Sequence, residues 1–221
     1  MAKPDFTHQR THMVDRQLRR RGIDDERVLA AMGEVPRERF VPDRVREGSY
    51  NDSALPIGHE QTISQPWVVA AICQALRLDG DEKVLEIGTG SGYSAAVLAR
   101  LARRVISVER LPELADAARG RLEEIGVDNV QVVVGDGSRG HPEEAPYDAI
   151  AVHAASPEAP HTLLSELADD GRLVVPIATG SADLLVAFIR EEGDLRQETI
   201  GPCRFVPLIG AEGFNPPEGQ E

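Results

Sequence analysis

Residues 84–93 read VLEIGTGSGY, and the next apolar run, VISVE, closes on an acid, Glu109. Lys83 to Ile87 is a short β-rich run, three glycines follow it at 88, 90 and 92, and SAAVLARLARR then carries apolar residues at helical spacing. The pattern predicts a strand, a tight glycine turn and a helix. Glycines there tolerate positive φ and let a ligand lie directly on the main chain, where side chains would block it. The spacing is GxGxG, with Tyr93 standing where the dinucleotide fingerprint has its last glycine.

A dinucleotide needs its pyrophosphate seated on a helix N-terminus. S-adenosylmethionine carries no phosphate and calls for acids instead. Glu86, at the end of the first strand, is placed to meet the amino end of the methionine moiety directly or through water, and Glu109 to accept hydrogen bonds from both ribose hydroxyls. Asp136, after VQVVVG, is placed near an adenine amino group. Taken singly, each acid reads more simply as a solvated strand end. Acids at three successive strand ends behind a glycine turn point to S-adenosylmethionine, with Gly88, Thr89, Gly90, Gly92 and Gly137 as candidate main-chain and turn contacts.

At 221 residues the chain is long enough for one α/β domain with a substantial core, and too short for two large ones. A net charge of −13 argues against a nonspecific polyphosphate partner, because nucleic-acid binding draws most of its free energy from basic surface. The basic run RQLRRR, ending at Arg21, reads as the solvated face of a helix. No segment has the length and apolarity to cross a bilayer and the N-terminus has no apolar signal core, so the expectation is a soluble, cytoplasmic protein without nucleic-acid or membrane partners, and a monomer. Cys73 and Cys203 lack metal-ligand spacing, as do His8, His12, His59, His141, His153 and His161; no metal or disulfide is expected, and both cysteines read as reduced core residues.

Two helices are predicted to open the chain, one over 7–21 closed by Gly22 and one capped by Asp24 and closed by Gly33. Pro36, Pro42, Pro56 and Pro66 then exclude long regular elements, yet Phe40, Val41, Leu55, Ile57 and Ile63 make the segment too apolar for a free linker. Ser64 or Gln65 would cap a helix whose first turn holds Pro66. From there strands at 84–87, 105–109, 130–135, 149–154 and 172–177 alternate with helices at 91–103, 111–125 and 159–168. LLVAFIRE and 198–209 read as strands pairing antiparallel at one edge. The fold class is α/β: a doubly wound, mostly parallel, Rossmann-like sheet over 66–210, with an N-terminal helical and irregular segment over 1–65 packed on it and a disordered tail over 211–221.

The methyl acceptor has to be read elsewhere. Enzymes that methylate amines of nucleic acids present an Asn/Asp-Pro-Pro-aromatic motif after the fourth strand, and this chain has VHAAS at 152–156 instead. ALPIGHEQTISQPWVVA (54–70), VLEIGTGSGY, GDGSRGHPEEAPYDAI (135–150), GRLVVPI (171–177) and RFVPL (204–208), with MVDRQLRRRGI and VLAAMGEVPRERFVP before them, resemble the protein-L-isoaspartate O-methyltransferases over roughly 10–210. TISQP is far more specific to that family than the glycine turn.

The resemblance implies methyl transfer from S-adenosylmethionine to the α-carboxyl of isoaspartyl residues in damaged proteins and peptides, whose ester then closes to a succinimide. It implies Ser64 as the residue gripping the acceptor carboxylate, Thr62 and Ile63 as cofactor-pocket residues, and Ile57, Val206 and Pro207 as substrate contacts, with RFVPLI as the peptide-binding segment; Val206 and Leu208 read as core. The chain departs from the family at Glu60, where glycine is common before QTIS, and at His153, where small or hydroxyl residues are usual. Two alternatives stay open: an aspartyl O-methyltransferase dedicated to one modified peptide, and a protein that only binds the cofactor.

Overall fold

The computed structural model of the chain describes residues 5–215. Helix α1 (Phe6–His12) continues without a break into a π-helical turn, Met13–Leu18, and a 3-10 turn, Arg19–Arg21, before Gly22 ends it at φ 89°. The predicted helix over 7–21 is present with a changing pitch. Met13 and Leu18, five residues apart, are both fully buried, and a π turn is the helical form that brings residues of that spacing to one face. Helix α2 (Glu26–Glu34) is capped by Asp25, whose carboxylate accepts from the Arg27 and Val28 amides, and not by Asp24. Gly33 lies inside it and does not end it: a Cβ there would meet Val14 Cγ2 at 3.7 Å, an ordinary contact, so neither the backbone nor the packing requires glycine at this position.

The proline-punctuated stretch forms 3-10 turns at Arg37–Arg39 and Asp43–Gly48 and a small antiparallel hairpin, β1 (Leu55–Gly58) and β2 (Gln61–Ile63). His59 and Glu60 form its turn with φ of 51° and 58°, a conformation that favours glycine, which explains why a glycine suits position 60. Helix α3 (Pro66–Leu76) starts with Pro66 in its first turn and Gln65 as N-cap.

The remaining elements are β3 (Lys83–Ile87), α4 (Tyr93–Leu98), β4 (Arg104–Glu109), α5 (Pro112–Glu124), β5 (Val130–Val134), β6 (Tyr147–Val152), α6 (His161–Ser165), β7 (Leu167–Ala178), β8 (Asp183–Glu191) and β9 (Asp194–Cys203). They build a seven-stranded sheet in the order β5-β4-β3-β6-β7-β8-β9, parallel up to β7 and antiparallel from β7 through β9. Helix α6 is shorter than the expected 159–168 because Leu167 already pairs with Tyr147 of β6. The last strand stops at Cys203, short of the expected 209. The Asp183 carboxylate takes the Phe205 amide at 2.8 Å, and the chain crosses instead to the end of β6, where Ala155 accepts from Leu208 N and donates to Val206 O. The tail expected to be disordered from 211 begins with an ordered turn: Phe214 N donates to Leu208 O and Glu212 accepts from Thr162 N. Its remainder, 216–221, lies outside the described residues.

Neighbouring residues of β3 bury against opposite layers: Val84 joins an apolar cluster with α3 and α4, and Leu85 one with Ile106, Ile150 and Leu163. A central parallel strand covered on both faces reads as such a continuous apolar run. Met13, Met32 and Phe40 belong to the same cluster as Val84, so the N-terminal stretch shares the core of the sheet. Cys73 is buried in α3, whereas Cys203 is only half-buried; both are free thiols.

Candidate active site

Successive strands leave β3 on both sides, toward β4 and toward β6, and in open α/β sheets a crevice forms at the carboxyl ends of the strands where the order reverses. A cleft lies there, walled by the glycine turn, Glu109 to Leu111, Gly137, His153, the 206–209 segment and the TIS residues. Gly88, Thr89 and Gly90 line it, and Gly90 has φ 53°. Gly92 does not line it. A Cβ there would stand 3.2 Å from the Ala118 Cβ at a φ of 89°, so this glycine lets α4 and α5 approach each other.

Glu109 is nearly buried on the cleft wall, with Oε2 accepting from Gly90 N at 2.8 Å and Oε1 from Leu111 N at 3.0 Å. An ionised carboxylate offers about four lone-pair sites. Two remain, one per oxygen, which suits a pair of adjacent hydroxyls.

Glu86 is placed differently from the expectation: it is fully buried and does not reach the cleft wall. Ser94 Oγ donates to Oε1 and Ser107 Oγ to Oε2, each at 2.5 Å; Thr89 Oγ1 lies 2.5 Å from Ser107 Oγ, and His153 Nε2 lies 2.6 Å from Ser94 Oγ. With Glu86 ionised, one proton order satisfies the chain: Thr89 donates to Ser107, His153 Nε2–H to Ser94, and both serines to the carboxylate. Burial pushes Glu86 up to about 7 against the help of its two serine donors, and burial pushes His153 down to about 4. The 3.4 Å approach of His153 to Glu86 is therefore a contact of a neutral imidazole at neutral pH. Direct contact from the cleft reaches Ser94 and His153, not Glu86. Neither Ser94 nor Ser107 stood out in the sequence; the only signal is a hydroxyl at a buried position beside the strand-end acid.

Asp136 also departs from the expectation. Its carboxylate holds Ser138 through N at 3.0 Å and Oγ at 2.7 Å, and Ala211 N at 2.9 Å, and it does not line the cleft, although Gly137 does. It straps the 208–211 segment to the end of β5. Ile57 lies behind the glycine turn, with Cδ1 3.6 Å from where a Gly90 Cβ would be, and is not a cleft residue.

Across the cleft, Thr62 is exposed at the rim, Ile63 is buried, and Ser64 is half-buried on the wall. Gln65 occupies the N-cap position, so the Ser64 hydroxyl is not engaged in capping α3. Val206 and Pro207 line the same cleft; Leu208 is buried and Val206 only partly so. Arg37, which the sequence did not single out, is fully buried behind this wall. Its Nη2 donates to Ser64 O at 2.8 Å, its Nε donates to Ser49 O at 2.7 Å, and its guanidinium stacks 4.9 Å from the centre of the Tyr93 ring. Among the described residues there is no cluster of histidine, cysteine and acids able to hold a metal.

Sheet order, glycine turn and the acid at the end of β4 place the fold and its cleft among the class I methyltransferases. The family described as protein-L-isoaspartate(D-aspartate) O-methyltransferase matches residues 8–213. A protein-L-isoaspartate O-methyltransferase 1 of Rhodopseudomonas palustris is 54% identical over 95% of this chain and 86% of its own length. One of Methanoculleus marisnigri is 52% identical, over 93% and 94%. A solved protein-L-isoaspartate O-methyltransferase superposes with a TM-score of 0.81 at 31% identity, covering 91% of this chain and 66% of that one. A Plasmodium falciparum structure of a β-aspartate methyltransferase in complex with S-adenosyl-L-homocysteine superposes at 0.79 with 24% identity, a likeness of fold alone. The chain belongs to the protein-L-isoaspartate(D-aspartate) O-methyltransferase family.

Proposed function

We propose that this chain transfers a methyl group from S-adenosylmethionine to the α-carboxylate of L-isoaspartyl residues in proteins and peptides, releasing S-adenosylhomocysteine. The observation that carries the reading is one cleft lined together by Glu109, whose carboxylate is hydrogen-bonded to the glycine turn, by the TIS segment and by 206–207. Half of the sequence is shared with relatives named for this activity.

The residues present fit the cofactor. Glu109 holds its carboxylate in place with two backbone amides and keeps one lone pair per oxygen for the ribose diol. The bare main chain at Gly88 and Gly90 admits close approach, Thr62, Ile63, Thr89 and Gly137 close the sides, and Ser94 and His153 present the Glu86 network to the amino-acid end. Gly92 supports the turn from outside the cleft. S-adenosylmethionine supplies an electrophilic methyl group.

The acceptor carboxylate, with an ordinary pKa of about 4, is already ionised at neutral pH, and no general base is required of the protein. Alignment is the task left, and holding reacting groups in geometry is worth about 7 kcal/mol or more when it is complete. Ser64 is the catalytic candidate: its uncommitted hydroxyl donates to the carboxylate and fixes which oxygen points at the methyl group. Val206 and Pro207 contact the extended peptide, on a segment that the Ala155 main chain holds in place through its own pairing with Val206 O and Leu208 N.

The test incubates purified protein with methyl-labelled S-adenosylmethionine and matched peptides carrying isoaspartyl, aspartyl or asparaginyl at one position. Base-labile methanol release from the isoaspartyl peptide alone is expected. Equal labelling of the aspartyl peptide would sink the reading in favour of an aspartyl methyltransferase.

A further inference from the structure

Arg37 is a fully buried cation with no carboxylate on it among the described residues. Its hydrogen bonds go to two main-chain carbonyls, its third face stacks on Tyr93, and Nη1 has no hydrogen-bond partner among the described residues. A guanidinium stays protonated in proteins, so a full positive charge sits in the core one layer behind Ser64 and Tyr93, both of which line the cleft. Burying a charge without a counterion is costly, and an orphaned donor adds to the cost. The nearby acids are committed: Glu38 takes the Tyr50 hydroxyl, and Asp52 pairs with Arg21. Structure alone would be served as well by a neutral donor to two carbonyls.

We propose that Arg37 is a positioning residue for the acceptor: it fixes the Ser64 main chain and holds an uncompensated positive charge behind the cleft wall that favours a carboxylate there. The proposal rests on the carboxylate-methylating reading above. A guanidinium in the cleft itself would pair with the nucleophilic oxygen and blunt it. Behind one layer of protein, the charge attracts the carboxylate through a poorly screening medium without a bond to either oxygen. The counterion that Arg37 lacks is then the substrate.

The experiment compares wild type with Arg37→Gln, which removes the charge and keeps an amide donor, and Arg37→Lys, which keeps the charge and loses the fork. Three quantities are read: S-adenosylhomocysteine affinity, kcat/KM for an isoaspartyl peptide, and inhibition by that peptide against its neutral isoasparaginyl amide. Wild type should prefer the carboxylate peptide. Arg37→Gln should lose that preference at least tenfold with cofactor-product affinity within about twofold, and Arg37→Lys should keep the preference while kcat falls roughly tenfold. If Arg37→Gln does not fold, Arg37→Lys alone decides: unchanged kcat, or equal losses in peptide and S-adenosylhomocysteine binding, overturns the proposal. An unchanged carboxylate preference in Arg37→Gln overturns it as well. A wild type inactive on the isoaspartyl peptide would instead overturn the function reading.

Discussion

Ser64 and Glu109 line the same cleft with separable duties, and substitutions should split accordingly. Ser64→Ala removes one donor to an ionised acceptor and should lower kcat about 10- to 100-fold while S-adenosylhomocysteine affinity stays within twofold, read by steady-state kinetics and calorimetry. Unchanged kcat would return Ser64 to a lining role. Glu109→Ala should do the reverse, weakening the cofactor about 10- to 100-fold, since charge-assisted hydrogen bonds to two hydroxyls are lost. The sequence made both residues visible, Glu109 through its place at a strand end and Ser64 through TISQP. It could not rank the acids. Glu86 and Asp136 occupy equivalent strand-end positions, yet Glu86 is sealed by Ser94 and Ser107, and Asp136 by Ser138 and Ala211. Which lone pairs are already taken depends largely on residues brought in from other elements, Ser94 from α4, Ser107 from β4 and Ala211 from the C-terminal turn.

At the scale of elements, the 204–214 segment shows what periodicity misses. The sequence reads as strand over 198–209 and as a loose tail from 211, but the chain leaves the sheet after Cys203 and is held by side chains: Asp183 on Phe205 N, Asp136 on Ala211 N, Ser138 Oγ on Glu212 N. A Cβ on Gly210 would lie 2.0 Å from Asp136 Oδ1, so any larger residue there would push the Asp136 carboxylate from its place. Asp136→Ala should therefore loosen this strap, raising peptide KM about fivefold or more and exposing the segment to protease, with cofactor affinity changed less. A loss of S-adenosylhomocysteine binding larger than the loss of peptide binding would show that Asp136 contacts the adenine after all. Gly33 likewise looks like a helix stop in the sequence, yet it lies within α2, which runs on to Glu34.

For the whole molecule, the buried Glu86–His153 network couples stability to pH in opposing senses. Glu86 is raised to about 7 from 4.5 by burial, so its contribution is complete below about pH 4.5 and is lost as pH rises through 7. His153 is lowered to about 4 from 6.5 by burial, so its contribution is complete above about pH 6.5 and is lost as pH falls through 4. Between those limits the two slopes offset each other. His153→Gln removes the second slope, and its unfolding free energy relative to wild type should fall by up to about 1.4 kcal/mol per pH unit between about pH 5 and 6.5. Parallel urea-unfolding curves across that range would mean that His153 is not held neutral in the fold. We also propose a monomer. The exposed large apolar side chains among the described residues, Val134 and Leu195, are on β5 and β9, the two opposite edges of the sheet, and form no shared patch. Sedimentation should give a single species near 24.0 kDa.

What the sequence determined by itself is local and periodic: the glycine turn between β3 and α4, the alternation that makes a doubly wound sheet, the acid closing β4, and the family resemblance centred on TISQP. Each of these signals is carried by residues that are close neighbours in the chain and needs no knowledge of what packs beyond them. Tertiary structure decided which acids face the cleft, how Ser94, Ser107 and His153 wrap Glu86, and where Arg37 lies. Each of those depends on contacts between residues far apart in the chain, and burial, which sets both hydrogen-bond capacity and charge state, exists only once the layers have closed.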